Sequence, residues 1–253
     1  MGLLDNKTAI VTGSSRGIGA DVARILASEG AAVVVNYRQK APRANKVVQG
    51  IEAAGGRAVA VGADLTTQEG VQALASAAME NFGSLDLLVL NASGGMETGM
   101  GEDYALKLNR DAQVNMLNAA VPLMKEGSRV VFVTSHQAHF INTVPTMPAY
   151  EPVARSKRAG EDALRDLIPN LADEGISLVV VSGDMIEGTV TATLLDRSTP
   201  GAIEARRAEA GKLYSVEEFA QVVAGMATAD VESGHTEYAG GADYFGKSAE
   251  ASS

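Results

Sequence analysis

Three glycines in the stretch Thr12-Gly13-Ser14-Ser15-Arg16-Gly17-Ile18-Gly19 are spaced for binding a phosphate. The run before them, Thr8-Ala9-Ile10-Val11, is apolar and β-branched, as a short buried strand requires. After them Ile18, Val22, Ile25 and Leu26 recur at helical spacing until Gly30. A strand, a glycine turn and a helix make a cradle. Gly13 permits the tight turn, Gly17 lets a ligand approach the backbone, and Gly19 lets helix and strand pack closely. Free N–H groups and the positive end of the helix dipole then favour a pyrophosphate. The spacing is G-x-x-x-G-x-G, which is neither the general dinucleotide fingerprint nor a P-loop, and a tight bend without a ligand is the competing reading.

Two further groups of residues carry chemistry. Asn36, Tyr37 and Arg38 follow a second apolar run, Val33-Val34-Val35. A carboxylate there would accept ribose hydroxyls; its place is empty of acid, and Arg38 with Arg16 suits a 2′-phosphate, which points to NADP(H). Ordinary surface arginines are the alternative. His136 and His139 lie near a strand end, where imidazole can protonate a carbonyl, against the plainer reading of loop histidines with no catalytic work. No His-Glu-x-x-His and no cysteine accompanies them, so no metal is expected.

Such residues need a scaffold, and the chain supplies alternating strand and helix patterns. Further strands are expected at Ala58–Val61, Leu85–Leu90, Arg129–Thr134, Ile176–Val181 and Thr236–Ala239. A long helix is expected from about 103 to 125, and another from about Pro152. Thr66 with Glu69, and Ser215 with Glu218, have capping-box spacing ahead of apolar periodicity, the second opening a helix to about Ala229. Continuously apolar strands separated by amphipathic helices imply an α/β fold, a doubly wound parallel sheet with helices on both faces. No linker divides the 253 residues, so one domain over 1–253 is expected, with a mobile polar tail at about 246–253. A net charge of −10 argues against nucleic acid as a partner. No apolar run approaches a membrane span, and a soluble cytoplasmic protein is the expectation.

The glycine stretch resembles the cofactor loop of the classical short-chain dehydrogenase/reductase family, with ketoacyl reductases as its nearest style. Asp64-Leu65 after the third strand, and Asn91-Ala92-Ser93-Gly94-Gly95 after the fourth, are similar to that family's adenine-contacting and cofactor-flanking elements. The resemblance covers the whole chain and is strongest in residues 5–135. It implies a single Rossmann-like domain and a cofactor held by Gly13, Ser15, Arg16, Gly17, Ile18 and Gly19. Arg38, Asp64, Leu65, Asn91 and Ala92 would add to that set, as would Lys157, Met185 and Thr189. After the sixth strand Ser182-Gly183 replaces the family's Pro-Gly, and the backbone near Met185 or Ile186 is where the family holds the carboxamide. The resemblance also implies a homo-oligomer, commonly a tetramer.

The catalytic set that the resemblance implies is Asn109, Ser135, Tyr150 and Lys157. In the family, Tyr exchanges a proton with the substrate oxygen, Ser hydrogen-bonds that oxygen, Lys lowers the Tyr pKa, and Asn orders a relay water. Asn115 and Asn118 compete with Asn109 on the same helix. The tyrosine departs from the pattern. It stands seven positions before the lysine, 150 to 157, where the family has four, and Val153 occupies the family's tyrosine position. Three extra residues shift the axial position by about 4.5 Å at 1.5 Å per residue. Pro152 fits the first helical position, which leaves Tyr150 outside the helix and Glu151 extended. The expected function is an NADP(H)-dependent oxidoreductase of small carbonyl or alcohol substrates. The alternative is a catalytically silent NADP-binding relative acting as a sensor or partner subunit.

Overall fold

The structure is a computed structural model that describes residues 2–96 and 103–245. The polar tail expected over 246–253 lies outside the described residues, as do residues 97–102. The first half alternates strictly: β1 (Thr8–Val11), α1 (Gly17–Ser28), β2 (Ala32–Tyr37), α2 (Ala41–Ala53), β3 (Arg57–Gly62), α3 (Gln68–Phe82) and β4 (Leu85–Leu90). A helical run follows, made of α4 (Tyr104–Leu106), a π-helical turn (Lys107–Asp111) and α5 (Ala112–Ala120). Then come β5 (Met124–Ser135), α6 (His136–His139), α7 (Glu151–Arg165), α8 (Ile168–Asp173) and β6 (Ser177–Gly183). The C-terminal part holds α9 (Val190–Ser198), α10 (Ala202–Ala210), α11 (Val216–Gly225) and β7 (Thr236–Ala239).

The seven strands form one parallel sheet in the order β3-β2-β1-β4-β5-β6-β7. Successive side chains of a strand point to opposite faces, so each inner strand feeds two cores. Ala9, Val11, Val33, Val35, Leu87, Val89, Val131, Val133, Val179 and Val181 pack under α1, α2 and α11. Ile10, Val34, Leu88, Leu90, Val130, Phe132, Leu178 and Val180 pack under α3, α5 and α7. That double burial explains why the strands read as continuous apolar runs.

Four local expectations are corrected. Thr67, not Thr66, caps α3, its hydroxyl accepting from Gly70 N at 3.1 Å, because Thr66 is held by Asp64 Oδ1 through both its N–H and its hydroxyl. The long helix expected to about residue 125 ends earlier, since Met124 already pairs with Leu85 at the start of β5. Glu151 is not extended but opens α7, and Tyr150 is the cap, its carbonyl accepting from Ala154 N at 2.9 Å. The helix opened by Ser215 stops at Gly225, although the Ser215–Glu218 capping box itself is formed in both directions. Strand order reverses between β2 and β4 around β1. The crevice beyond the carboxyl ends of these strands is where such sheets receive ligands.

Candidate active site

A cavity of about 600 Å³ opens at those strand ends. Its first wall is the glycine loop. Gly13 and Gly17 both adopt positive φ, +63° and +56°. A Cβ on Gly17 would meet nothing within 4 Å beyond its own chain neighbours and helix backbone, and that open space gives onto the cavity. A Cβ on Gly19 would stand 2.5 Å from Asn91 Nδ2 and 2.8 Å from the Gly13 carbonyl, which explains the close packing of loop and helix. Side chains behind the loop hold its shape. Asn36 Oδ1 accepts from Gly13 N at 2.9 Å, and Ser14 Oγ donates to the Val11 carbonyl at 2.6 Å. The Thr12 hydroxyl accepts from Asn91 N and Ala92 N, each at 2.9 Å, and ties the end of β1 to the end of β4. Thr12, Ser14 and Asn36 are all buried; the sequence places them beside the glycines but gives no sign of this bracing role.

Arg16 after β1, and Arg38, Lys40 and Arg43 after β2, line the cavity. None of the four forms an ion pair among the described residues, in a chain whose net charge is −10. Arg38 donates to the Tyr104 hydroxyl and lies 5.5 Å from the centre of that ring. Lys40 and Arg43, which the sequence reading passed over, belong there because α2 starts directly after β2. Unpaired cations at a cavity rim fit a phosphate dianion. Asn36, at the position where an acid would meet ribose hydroxyls, is occupied with Gly13 N and the Ala63 carbonyl. Asp64, Leu65, Asn91 and Ala92 line the same space, as do Ser15, Ile18, Met185 and Thr189.

The reaction side of the cavity is lined by Ser135, Tyr150 and Lys157. Tyr150 is buried, and its hydroxyl lies 3.4 Å from Ser135 Oγ. Val153 does not line the cavity; it packs with Tyr150, Ala154, Met185 and Leu195 in a small apolar cluster. Lys157 is buried in α7 and has no carboxylate partner among the described residues. Asn109 sits in the π-helical turn, behind the cavity wall. Its amide oxygen accepts from Gly94 N at 3.2 Å, and its amide nitrogen donates to the Gly94 carbonyl at 2.8 Å and to Ser156 Oγ at 2.9 Å. The competing Asn115 and Asn118 are exposed on α5.

The histidines do not reach the cavity. His136 is fully buried, with Nε2 donating to the Gly240 carbonyl at 2.9 Å and Nδ1 accepting from the Ser182 hydroxyl at 2.7 Å in the neutral ring. Burial pushes its pKa below the ordinary histidine value, against the Gly240 bond and the charge of Asp184. His139 hydrogen-bonds Glu161 at 2.8 Å and the Tyr238 hydroxyl at 3.0 Å. Burial alone would raise the fully buried Glu161 carboxyl, but His139 and then Arg165 outweigh it and hold it below the usual carboxylate range. Behind β6, Arg206 of α10 clasps Asp184 at 2.8 Å and Asp243 at 2.6 Å. Among the described residues no group of three or more His, Cys, Asp or Glu could hold a metal ion, and no helix is long and apolar enough to cross a membrane.

The comparisons agree on one family. A family model described as short chain dehydrogenase matches residues 7–198. An uncharacterised oxidoreductase of Methylorubrum extorquens is 35% identical over 240 residues, 91% of this chain and 94% of that protein. Versicolorin reductase 1 of Dothistroma septosporum is 31% identical over 204 residues, 78% of this chain and 76% of that protein. A short chain dehydrogenase from Burkholderia cenocepacia, solved in complex with NADP, has a TM-score of 0.79 at 30% identity and covers 93% of this chain and 97% of its own.

Proposed function

This chain belongs to the short-chain dehydrogenase family, and from that premise we propose an NADP(H)-dependent carbonyl reductase of small ketones and the corresponding alcohols. The observation that carries the reading is the meeting of Tyr150 and Ser135, hydroxyls 3.4 Å apart, in a cavity shared with the glycine loop and Lys157. The residues fit a dinucleotide: the open space beside Gly17 would take the pyrophosphate, with Ser15, Ile18 and Thr189 flanking it. When bound, the nicotinamide supplies or accepts the hydride. Asp64, Leu65, Asn91 and Ala92 would flank the adenosine side, and Met185 the nicotinamide.

Two hydroxyls this close can both hydrogen-bond one substrate oxygen and so orient the carbonyl carbon. In reduction Tyr150 gives its proton to that oxygen, while Ser135 Oγ holds it. The charge left on Tyr150 shares a cavity with the Lys157 ammonium and is therefore not isolated. Asn109 ties Gly94, next to Ser93 of the cavity wall, to Ser156, next to Lys157. Support for NADP over NAD comes from Arg16, Arg38, Lys40 and Arg43, which no carboxylate neutralises among the described residues, and from the NADP held by the Burkholderia relative. The proposal extends to one domain over the whole chain, a cytoplasmic homo-oligomer and, by family likeness, a tetramer. A silent binding protein is disfavoured because nothing requires such a protein to bury a tyrosine beside the serine.

A panel of ketones and alcohols with NADPH and NADH tests the reading. Turnover of at least one ketone with NADPH, and weaker turnover with NADH, is expected. Tight cofactor binding with no turnover across the panel would leave the silent relative standing instead.

A further inference from the structure

Gln137 lies two residues after Ser135, on α6, and lines the cavity beside Ser135 and Tyr150. Its side-chain oxygen accepts from Met147 N at 3.0 Å and from the Thr146 hydroxyl at 2.6 Å. A backbone N–H can only donate, so the atom facing Met147 is the amide oxygen and the orientation of the carboxamide is fixed. The –NH2 group on its other side carries two donors, and neither has a partner among the described residues. A half-buried donor pair without a protein acceptor, on the wall of a cavity, is open to water and equally to an acceptor that arrives with a ligand.

The neighbours narrow the chemistry of that acceptor. Met185, Ala192 and Leu195 make this part of the wall apolar. Asp184, which also lines the cavity, is ion-paired to Arg206; Arg16, Arg38, Lys40 and Arg43 stand at the other end, after β1 and β2, and the one cation on this side without a carboxylate among the described residues, Lys157, is assigned to the charge left on Tyr150. We propose that Gln137 reads the substrate: its –NH2 group donates to a second, uncharged oxygen, so the preferred substrates are ketones with an ether, hydroxyl or carbonyl oxygen near the reacting carbonyl. This rests on the reductase reading of the same site. Gln137 is also a positioning residue, because the Met147 carbonyl that follows its contact accepts from Tyr150 N at 2.8 Å. Substrate preference and tyrosine placement meet on one side chain.

The test uses isosteric ketone pairs that exchange a methylene for an ether oxygen: methoxyacetone against methyl propyl ketone, and methoxyethyl methyl ketone against butyl methyl ketone. Dissociation constants are measured on the full chain saturated with NADP⁺, and kcat/KM with NADPH. In the wild type, at least one pair should favour the oxygen-bearing member by about tenfold relative to Gln137→Met, the scale of one net hydrogen bond. In Gln137→Glu, which keeps an acceptor for Met147 but turns the donor into an oxygen, the ratio should fall below that of Gln137→Met. A merely structural brace lowers both members of a pair together. Ratios that are the same in all three proteins therefore overturn the proposal, as does failure of every ketone to bind. Binding ratios that shift as expected without any turnover would leave Gln137 as the reader and sink only the reductase reading.

Discussion

The two halves of this sheet place their functional groups by different means. On the β1–β4 side the ligand wall is backbone: glycines at positive φ, a helix start and strand ends, fixed within a few residues of one another. On the β5–β6 side the groups are side chains brought together across long loops, Tyr150 to Ser135 and Gln137 to Met147. Arginines divide in the same way. Arg38 at the nucleotide end has a tyrosine hydroxyl but no acid among the described residues, whereas Arg206 behind β6 is saturated by Asp184, Asp243 and Glu209. A cation left without an acid at a cavity rim keeps its charge available to an anion; one ringed by acids has it taken up within the fold.

The sharpest way to break this contrast is Gly17→Val. Its Cβ would meet nothing within 4 Å beyond its own chain neighbours and helix backbone, so the obstruction falls on the ligand. Calorimetric titration should show dinucleotide binding weakened by about 100-fold or more, roughly 2.7 kcal/mol. A left-handed valine costs about 1–2 kcal/mol of stability, which a thermal melt would register separately. Normal binding by the folded variant removes the glycine loop from the site. Next comes Tyr150→Phe, which should cut turnover by about 100-fold or more, the scale of a lost general acid, with cofactor affinity unchanged. Full activity in that variant would show that the proton comes from elsewhere.

Arg38→Ala sharpens the comparison further. Loss of one charge-assisted hydrogen bond should raise the NADPH dissociation constant by about tenfold and leave NADH unaffected. Equal loss for both cofactors would mean that Arg38 supports the loop and does not meet a phosphate. The smallest effect is expected at Glu161→Gln, on the side held by side chains. His139, Arg158, Arg165 and Tyr238 surround this carboxylate. Its folded pKa lies below the ordinary 4.5, so its contribution to stability is present above that value and disappears as pH falls through the lower one. The variant should be about 1 kcal/mol less stable at pH 7, and the gap to wild type should close in acid. Denaturant titrations at both pH values measure it; a gap that persists in acid assigns the effect to packing.

How much of this was legible follows from the same contrast. The strands were readable because burial on both faces forces runs such as Val33–Val35 and Val130–Val133 to be apolar throughout. The glycine loop was readable because its geometry demands glycine. The residue Tyr150 was legible, but its placement beside Ser135 was not, since Met147, whose carbonyl accepts from Tyr150 N, is itself held by Gln137 ten residues away, a contact with no local signature. Asn109 is preferred to Asn115 and Asn118 on the family resemblance alone; in the structure it is buried in the π-helical turn while the other two face solvent. The Thr66 cap failed because Asp64 competes for the same hydroxyl. His136 lies next to Ser135 in sequence, yet faces Ser182 and Gly240 on the far side of the strand.

Strand order also sets a timetable. Once the chain has been made as far as Leu90, β3, β2, β1 and β4 can pair among themselves, and every later strand joins on the β4 side in the order of synthesis. Nothing has to be threaded between strands already in place. The glycine loop therefore has both its flanking strands before Ser135, Tyr150 or Lys157 leaves the ribosome. β7 arrives last, bringing Thr236 to Arg165 and Tyr238 to His139, and so closes the cover over Glu161. The glycine wall of the cavity is thus complete in the chain before its other wall, from Ser135 to Thr189, has been made.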